Sequence, residues 1–277
     1  MTCPNGSLAR DVLRISGEER VGFLQGLLTQ DIEGLAPGSL AFGALLSPQG
    51  KIVETMVISG TEDAVFLDVP AGRGAGLRKK LMLYKLRAKV GIDEVSGDVR
   101  VVVGPDRAGL GEAPLAAGPD PRLAEIGMRT ITAQDPGADV DGAYHDHLLR
   151  LGVPQMGVDF GEAEVFALDV NLDALGGIEH HKGCFVGQEV ASRMYRKGSI
   201  RKRTYRVEGA SLEAGAAIMS GSKQVGTVTS ARDGLGLAIM RVDRLGPSAA
   251  ELTVNGAAVR AEPPAYLDRA EGPDAGS

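Results

Sequence analysis

Continuous and alternating apolar runs define the first half of the chain. Apolar residues alternate from Asp11 to Ile15, which predicts a strand. Two longer apolar runs, Leu40 to Leu46 and Ile52 to Ile58, flank the turn sequence Ser47-Pro48-Gln49-Gly50 and predict a β-hairpin. The same reasoning predicts strands at 64–69, 99–103 and 122–132.

Apolar residues that recur at three- or four-residue spacing predict the helices. A helix from Glu18 to about Gln30 would place Val21, Leu24 and Leu28 on one side. Further helices are predicted from about 76 to 86, from 144 to 151 and from about 187 to 197. Residues 104–121 are rich in Gly and Pro, which predicts a surface loop or a junction.

The character of the chain changes after residue 200. Short strand-like runs alternate with turns that contain Gly, Ser and Asn, and Asn255-Gly256 is a strong hairpin signal. This pattern predicts a small β-barrel. The predicted domains are therefore a first α+β segment at 1–105, a second at 106–200, the barrel at 201–267 and a disordered tail at 268–277.

Composition and cysteine usage favour a globular protein of a reducing compartment. The chain has 277 residues, of which 43% are hydrophobic and 24% are charged. Neither a basic leader with an apolar core nor an apolar run of about 18 residues occurs, so neither a signal peptide nor a membrane span is predicted. The two cysteines cannot form a disulfide framework, and we predict a cytoplasmic location.

The net charge of −6 is unevenly distributed. Eight basic residues and one acidic residue lie between Lys182 and Arg206, which gives this segment +7 and the rest of the chain −13. We therefore expect the whole protein to avoid nucleic acid and membranes, while this segment could attract an anion. The alternatives are a solvated basic surface and a weak, salt-sensitive RNA site.

The segment Lys182-Gly183-Cys184-Phe185-Val186-Gly187-Gln188-Glu189 is the strongest candidate site. Its two glycines would permit tight turns, and the helix predicted after it would place Cys184 beside a helix N-terminus that favours a thiolate. His180, His181 and Cys184 are too few for a structural metal site, and no histidine follows the cysteine, which disfavours a cysteine hydrolase. We predict a ligand-contacting or redox-sensitive thiol and no metal; a buried packing cysteine is the alternative.

Asp169 is a second candidate because apolar residues flank it on both sides. A carboxylate in such a place often faces a cavity, where it can pair with a heterocycle that presents an N–H beside an amino group. The alternative is an aspartate that caps a turn.

The string KGCFVGQE at 182–189 resembles the K-G-C-[FY]-x-G-Q-E signature of the YgfZ-type tetrahydrofolate-binding proteins, relatives of the glycine-cleavage T-protein. The resemblance extends to the segments at 13–32, 45–58, 81–92 and 171–193. It implies an α+β fold in which two intertwined T-protein-like, ferredoxin-like subdomains and a C-terminal β-barrel surround a central folate pocket, with the interior thiol Cys184 in its wall.

The resemblance also implies a function and a set of ligand contacts. It implies a tetrahydrofolate-binding accessory protein of iron–sulfur cluster assembly or repair, which supports radical and tRNA-modifying enzymes without turnover of its own. Its partners would be assembly proteins and client enzymes. The motif thiol would be Cys184, and the predicted contacts of tetrahydrofolate or a one-carbon derivative are Asp169, Asn171, Lys182, Gly183, Gly187, Gln188, Glu189, Arg201 and Arg203.

The alternative function is a folate-dependent aminomethyltransferase of the glycine-cleavage type. The T-protein carries an Asp-Asp pair after the hairpin turn, and Glu54-Thr55 occupies that place here. General acid–base catalysis tolerates little displacement of the reacting group, so this substitution disfavours aminomethyl transfer.

Overall fold

The computed structural model describes residues 3–96, 99–106, 114–133, 138–196, 200–245 and 251–270. The chain divides into two compact units. The first comprises residues 1–145 and 175–188, and the second comprises residues 146–174 and 189–277. Among the described residues, no helix has the length and apolar content needed to cross a membrane.

A five-stranded antiparallel sheet forms the larger layer of the first unit. Its strands lie in the order β3-β4-β5-β2-β6. Their bounds are Arg10–Ser16 (β2), Leu40–Leu46 (β3), Ile52–Gly60 (β4), Ala64–Pro70 (β5) and Gly91–Glu94 (β6). The predicted hairpin is confirmed, because β3 and β4 pair from Leu40 opposite Ser59 to Leu46 opposite Ile52.

A second sheet of the first unit has four strands in the order β1-β7-β9-β8. Their bounds are Gly6–Leu8 (β1), Arg100–Gly104 (β7), Ala116–Pro119 (β8) and Met128–Thr132 (β9). The strand β8 lies within the Gly- and Pro-rich segment that was predicted as a loop. Its sequence, Ala-Ala-Gly-Pro, has low strand propensity, and pairing with β9 determines its conformation.

A network of ion pairs around the buried Asp68 joins these two sheets. Asp68 on β5 accepts hydrogen bonds from Arg10 Nε at 2.6 Å and from Arg129 Nε at 2.8 Å. Arg129 lies on β9, and both it and Asp68 are buried. Because each buried charge has a hydrogen-bonded partner, this network stabilises the packing of one sheet against the other. Sequence patterns did not predict it.

Helices cover the five-stranded sheet. They are α1 (Arg20–Gln25) and α2 (Gly74–Lys85), which bury Leu24, Leu77 and Leu81 in the main core of the unit. The helix α1 is shorter than predicted. The chain leaves it at Gly26, and Thr29 N donates to Ala44 O of β3 instead of continuing the helix.

The second unit contains a closed antiparallel barrel in the order β10-β13-β12-β11-β14-β15. Its strands are Arg203–Glu208 (β10), Ala217–Ser220 (β11), Lys223–Arg232 (β12), Leu235–Met240 (β13), Leu252–Val254 (β14) and Ala257–Glu262 (β15). Asn255-Gly256 joins β14 to β15 with positive φ at both residues, as the hairpin prediction requires. Valine, isoleucine and methionine side chains fill its core.

Three further α-helices occur in the described residues: α3 (Asp141–Leu151), α4 (Gln188–Arg196) and α5 (Ala265–Ala270). Short 3-10 helices occur at Ala124–Ile126, Ala167–Val170 and Val242–Arg244. The predicted fold class, a mixed α+β protein with a C-terminal barrel, is confirmed. The two units do not follow the predicted boundaries at 105 and 200. Residues 268–270 of the predicted tail lie in α5, and residues 271–277 lie outside the described residues. The central pocket stays a prediction.

Candidate functional site

Lys182 fixes one end of the motif loop, which we define as residues 182–188. Its ammonium donates to the carbonyl oxygens of Gln25, Leu28 and Gln30 at 2.8, 2.7 and 2.7 Å. These carbonyls lie at the end of α1 and just beyond it, where no further helical turn supplies donors. An ammonium has three N–H donors, so Lys182 is fully occupied by the fold. Lys182 thus has an anchoring role in the fold, and its contact with a ligand stays a prediction.

The surroundings of Lys182 disfavour its charge. Burial lowers its pKa to about 8, and the carboxylates of Asp31, Glu33 and Glu179 oppose that change. The Lys182 ammonium also lies 5.4 Å from the centre of the Phe185 ring, a cation–π contact within the loop itself.

Replacing Lys182 by methionine should lower the free energy of unfolding by about 2–3 kcal/mol at neutral pH, because three carbonyls lose their donor. The loss should grow with pH. The unfolded chain holds the Lys182 proton up to its usual pKa of 10.5 and the folded chain only to about 8, so the wild type gains stability between these values and the variant does not. Urea unfolding of both proteins from pH 7 to 10.5 measures the difference.

Gly187 fixes the other end of the motif loop against the β3–β4 hairpin. It has a φ of +81°, which side-chain-bearing residues rarely adopt. A Cβ at this position would lie 2.6 Å from the carbonyl oxygen of Ser47 and 2.9 Å from Leu46 Cβ. Phe185 is buried and Val186 packs against the core of the unit. The loop is therefore held at Lys182, at Phe185-Val186 and at Gly187.

Gly183 differs from Gly187. Its φ is not positive, and a Cβ there would meet nothing within 4 Å. The predicted need for a tight turn is confirmed at Gly187 and is wrong at Gly183. Close approach of a ligand to Gly183 stays a prediction.

The two glycines form a matched pair for mutagenesis. Gly187→Ala should cost about 2–4 kcal/mol of unfolding free energy, since it adds both a backbone strain and a clash with Ser47 O. Gly183→Ala should change it by less than about 0.5 kcal/mol. Chemical denaturation of both variants checks this; equal losses would show that the motif loop is not held as described.

Cys184 lies between the fixed points of the motif loop and is exposed. The alternative of a buried packing cysteine is therefore wrong, and a place for Cys184 in the wall of a folate pocket stays a prediction. Cys3, in contrast, is half-buried, and its Sγ donates to the carbonyl oxygen of Ile126 at 3.0 Å. Burial and the nearby Asp120 carboxylate raise the pKa of Cys3. Cys184 is the cysteine that an external reagent or protein can reach.

The last two motif residues begin α4. Gln188 is half-buried, and its backbone N–H donates to Phe185 O at 3.2 Å. Glu189 is exposed and forms a salt bridge with Arg193 at 2.5 Å, one helical turn later. Such an exposed pair adds little stability. A ligand contact by either residue stays a prediction.

Asn171 serves the internal structure of the second unit. Its side-chain N–H groups donate to Thr204 O and to Tyr266 Oη, both at 2.9 Å, and its Oδ1 accepts from Thr204 N at 3.2 Å. Its φ of +58° is one that asparagine tolerates better than most residues. The buried amide thus joins β10 to α5, and a contact of Asn171 with a ligand stays a prediction.

Arg203 and Asp169 also have structural partners. The guanidinium of Arg203 is buried, reaches both carboxylate oxygens of Asp173 at 2.5 and 2.8 Å and donates to Leu168 O at 3.2 Å. Asp169 is buried, and its Oδ2 accepts from Phe166 N at 3.2 Å, which is the predicted alternative of a cap. Arg201 is exposed. Of these three, Arg201 alone presents its side chain to solvent.

Glu54 has a partner that sequence reasoning missed. Its buried carboxylate accepts from Arg73 Nε at 2.6 Å. Burial raises the pKa of Glu54, and the charge of Arg73 opposes that rise. Arg73 immediately precedes α2 and lies between Gly72 and Gly74. The position of Arg73 between two glycines and after an apolar strand is the one sequence feature that could have indicated this ion pair.

Within the described ranges, no three histidine, cysteine, aspartate or glutamate side chains lie close enough together to hold a metal ion. The predicted residues also divide between the two units. Lys182, Gly183, Cys184, Gly187 and Gln188 belong to the first, and Asp169, Asn171, Glu189, Arg201 and Arg203 belong to the second.

Comparison with known proteins supports the fold. The chain is similar to the glycine cleavage system aminomethyltransferase T from Bartonella henselae, with a TM-score of 0.67 over 92% of this chain and 83% of that one, at 15% sequence identity. Residues 201–269 match the family model described as the C-terminal beta-barrel domain of CAF17. Both findings agree with the closed barrel of the second unit.

Two curated relatives are named as iron-sulfur cluster assembly factors. The chain is 30% identical over 217 residues to the iron-sulfur cluster assembly factor IBA57 homolog, mitochondrial, of Mycosarcoma maydis, which covers 70% of this chain and 54% of that protein. It is 28% identical over 273 residues to the human iron-sulfur cluster assembly factor IBA57, mitochondrial, which covers 85% and 76%. The chain thus spans about half the length of the fungal relative. Because these relatives are named as mitochondrial, the predicted cytoplasmic location is wrong.

Proposed function

We propose that this protein is an iron–sulfur cluster assembly factor that contributes the Cys184 thiolate as one ligand of a cluster shared with a partner protein. The observation that carries the proposal is the exposure of Cys184 on a loop held by Lys182 and Gly187. A thiolate is the protein ligand that iron–sulfur clusters use most. Holding the loop fixes the position of the sulfur before the cluster arrives.

A count of ligands leads to the partner. An iron–sulfur cluster is usually held by about four cysteine thiolates. The chain has two cysteines. Cys3 is half-buried, and its thiol donates a hydrogen bond to Ile126 O. One accessible thiolate cannot hold a cluster by itself. We therefore infer that the cluster is cargo, and that the partner provides the remaining ligands.

The names of the relatives support this function over aminomethyl transfer. They are named as assembly factors, whereas the likeness to an aminomethyltransferase at 15% identity concerns the fold. The buried Glu54 carboxylate accepts a hydrogen bond from Arg73 Nε at 2.6 Å. A general base must reach the proton that it removes, and this ion pair holds the carboxylate in place.

Tetrahydrofolate is a further proposal, which rests on the resemblance of the motif. The predicted contacts do not fit it as a set, because Asn171, Lys182 and Arg203 are used by the fold. Arg201 remains a candidate for the carboxylates of the folate tail. Calorimetry with tetrahydrofolate should show weaker binding to Arg201→Glu than to the wild type; equal affinity would exclude a tail site at Arg201.

Depletion of the protein in its own organism tests the proposed function. Activities of several iron–sulfur enzymes, including the radical and tRNA-modifying enzymes that we propose as clients, should fall several-fold. An enzyme without a cluster, measured in the same extract, should keep its activity. Unchanged activities of all iron–sulfur enzymes after complete depletion would contradict an assembly role.

A further inference from the structure

Four large apolar side chains cluster at the end of α2. They form what we call the apolar tip, which consists of Met82, Leu83, Tyr84 and Leu86, exposed by 44, 72, 39 and 88%. Earlier in the same helix, Leu77 and Leu81 are buried in the core. The other exposed large apolar side chains of the described ranges are isolated in the sequence: Leu115, Val158 and Tyr195. Single exposed apolar residues are ordinary, whereas a cluster indicates a contact surface.

The backbone at Leu86 strengthens this interpretation. Its φ is +44°, a conformation that glycine adopts freely and leucine rarely. Glycine lacks the Cβ that makes a positive φ costly. Here the chain has a leucine instead, and that leucine is the most exposed large apolar side chain of the described residues. Neither the backbone nor the solvated side chain favours leucine in the isolated protein.

Basic residues surround the apolar tip. Residues 78–89 contain six of them and no acidic residue: Arg78, Lys79, Lys80, Lys85, Arg87 and Lys89. Nearby, the Glu18 carboxylate lies 3.9 Å from Lys89 Nζ. The chain as a whole has a net charge of −6, so this patch would orient the protein with α2 toward an anionic surface.

We propose that the apolar tip and its basic surround form a docking surface for an anionic membrane. Apolar tips can enter the boundary between headgroups and acyl chains, while long basic side chains reach the lipid phosphates and carboxylates. A protein interface fits less well, because lysine is depleted at interface centres and leucine is under-represented among hot spots. The expectation that the chain avoids membranes used its net charge alone and took no account of this patch.

Sedimentation with lipid vesicles tests the proposal. The protein should bind vesicles that contain about one third phosphatidylserine and should not bind vesicles of pure phosphatidylcholine. It should dissociate from the anionic vesicles as the salt concentration is raised. The double variant Leu83→Gln/Leu86→Gln should bind at least tenfold more weakly, as should Lys79→Glu/Arg87→Glu. The control Val158→Gln, an exposed apolar residue of the second unit, should bind like the wild type.

Leu86→Gly separates docking from folding. Glycine accommodates the positive φ, so the melting temperature should stay the same or rise while vesicle binding weakens several-fold. Absence of binding to the anionic vesicles, or binding that none of these variants weakens, would overturn the proposal. A second contrary result is possible. If the wild type does not bind vesicles, and a protein that co-purifies with it is absent from the Leu83→Gln/Leu86→Gln preparation, the surface is a protein interface and the proposal is overturned.

Discussion

Cys184→Ala should abolish support of iron–sulfur enzymes in cells while changing the melting temperature by no more than about 1 °C. Cys184 is exposed, so removal of its sulfur creates no cavity in the core. The variant nevertheless loses its accessible thiolate ligand. Complementation of a depleted strain, with enzyme activities and protein levels measured together, gives the result.

Two variants control this experiment. Cys184→Ser keeps the size of the side chain but replaces a soft sulfur ligand by oxygen, and it should fail as Cys184→Ala does. Cys3→Ala removes the other cysteine, which is half-buried, and should retain function with a modest loss of stability. Full function of Cys184→Ser would show that no sulfur–iron bond is required at this position.

Arg203→Gln should destabilise the second unit by about 3–5 kcal/mol, the typical cost of breaking a buried ion pair by removing one partner. The guanidinium holds both oxygens of Asp173 and the carbonyl of Leu168, and glutamine cannot replace all three contacts. Asp173 would be left as a mostly buried carboxylate without its partner.

Arg201→Gln is the matched control, two residues away on the same segment. Arg201 is exposed, so the change should alter stability by less than about 0.5 kcal/mol. Thermal and urea unfolding of the two variants would distinguish them. Comparable stability of both variants would mean that the contacts of Arg203 with Asp173 and Leu168 do not stabilise the fold and that its guanidinium is available to a ligand.

Local patterns predicted much of the architecture. The apolar runs of β3 and β4 and the turn between them are short-range signals, as is Asn255-Gly256 in the barrel. The four-residue spacing of apolar residues similarly predicted α4 close to its observed bounds. Each of these signals lies within a few residues of the structure that it specifies.

The partners of the candidate site residues could not be predicted in the same way. Lys182 reaches carbonyls 152 to 157 residues earlier in the chain, and no local pattern encodes such a contact. The same holds for Arg203, whose basic neighbours suggested an anion site but whose own partner is the internal Asp173. The conformational need for Gly187 was predicted, while its contact with Ser47 required the fold.

The iron content of the isolated protein tests the central claim most directly. Cells grown with radiolabelled iron would express tagged wild-type, Cys184→Ala or Cys3→Ala protein at matched levels, and each protein would be isolated with its partners under strictly anaerobic conditions. We predict label with the wild type and with Cys3→Ala, and background label with Cys184→Ala. Equal label with Cys184→Ala and the wild type would contradict a cluster held in part by this thiol.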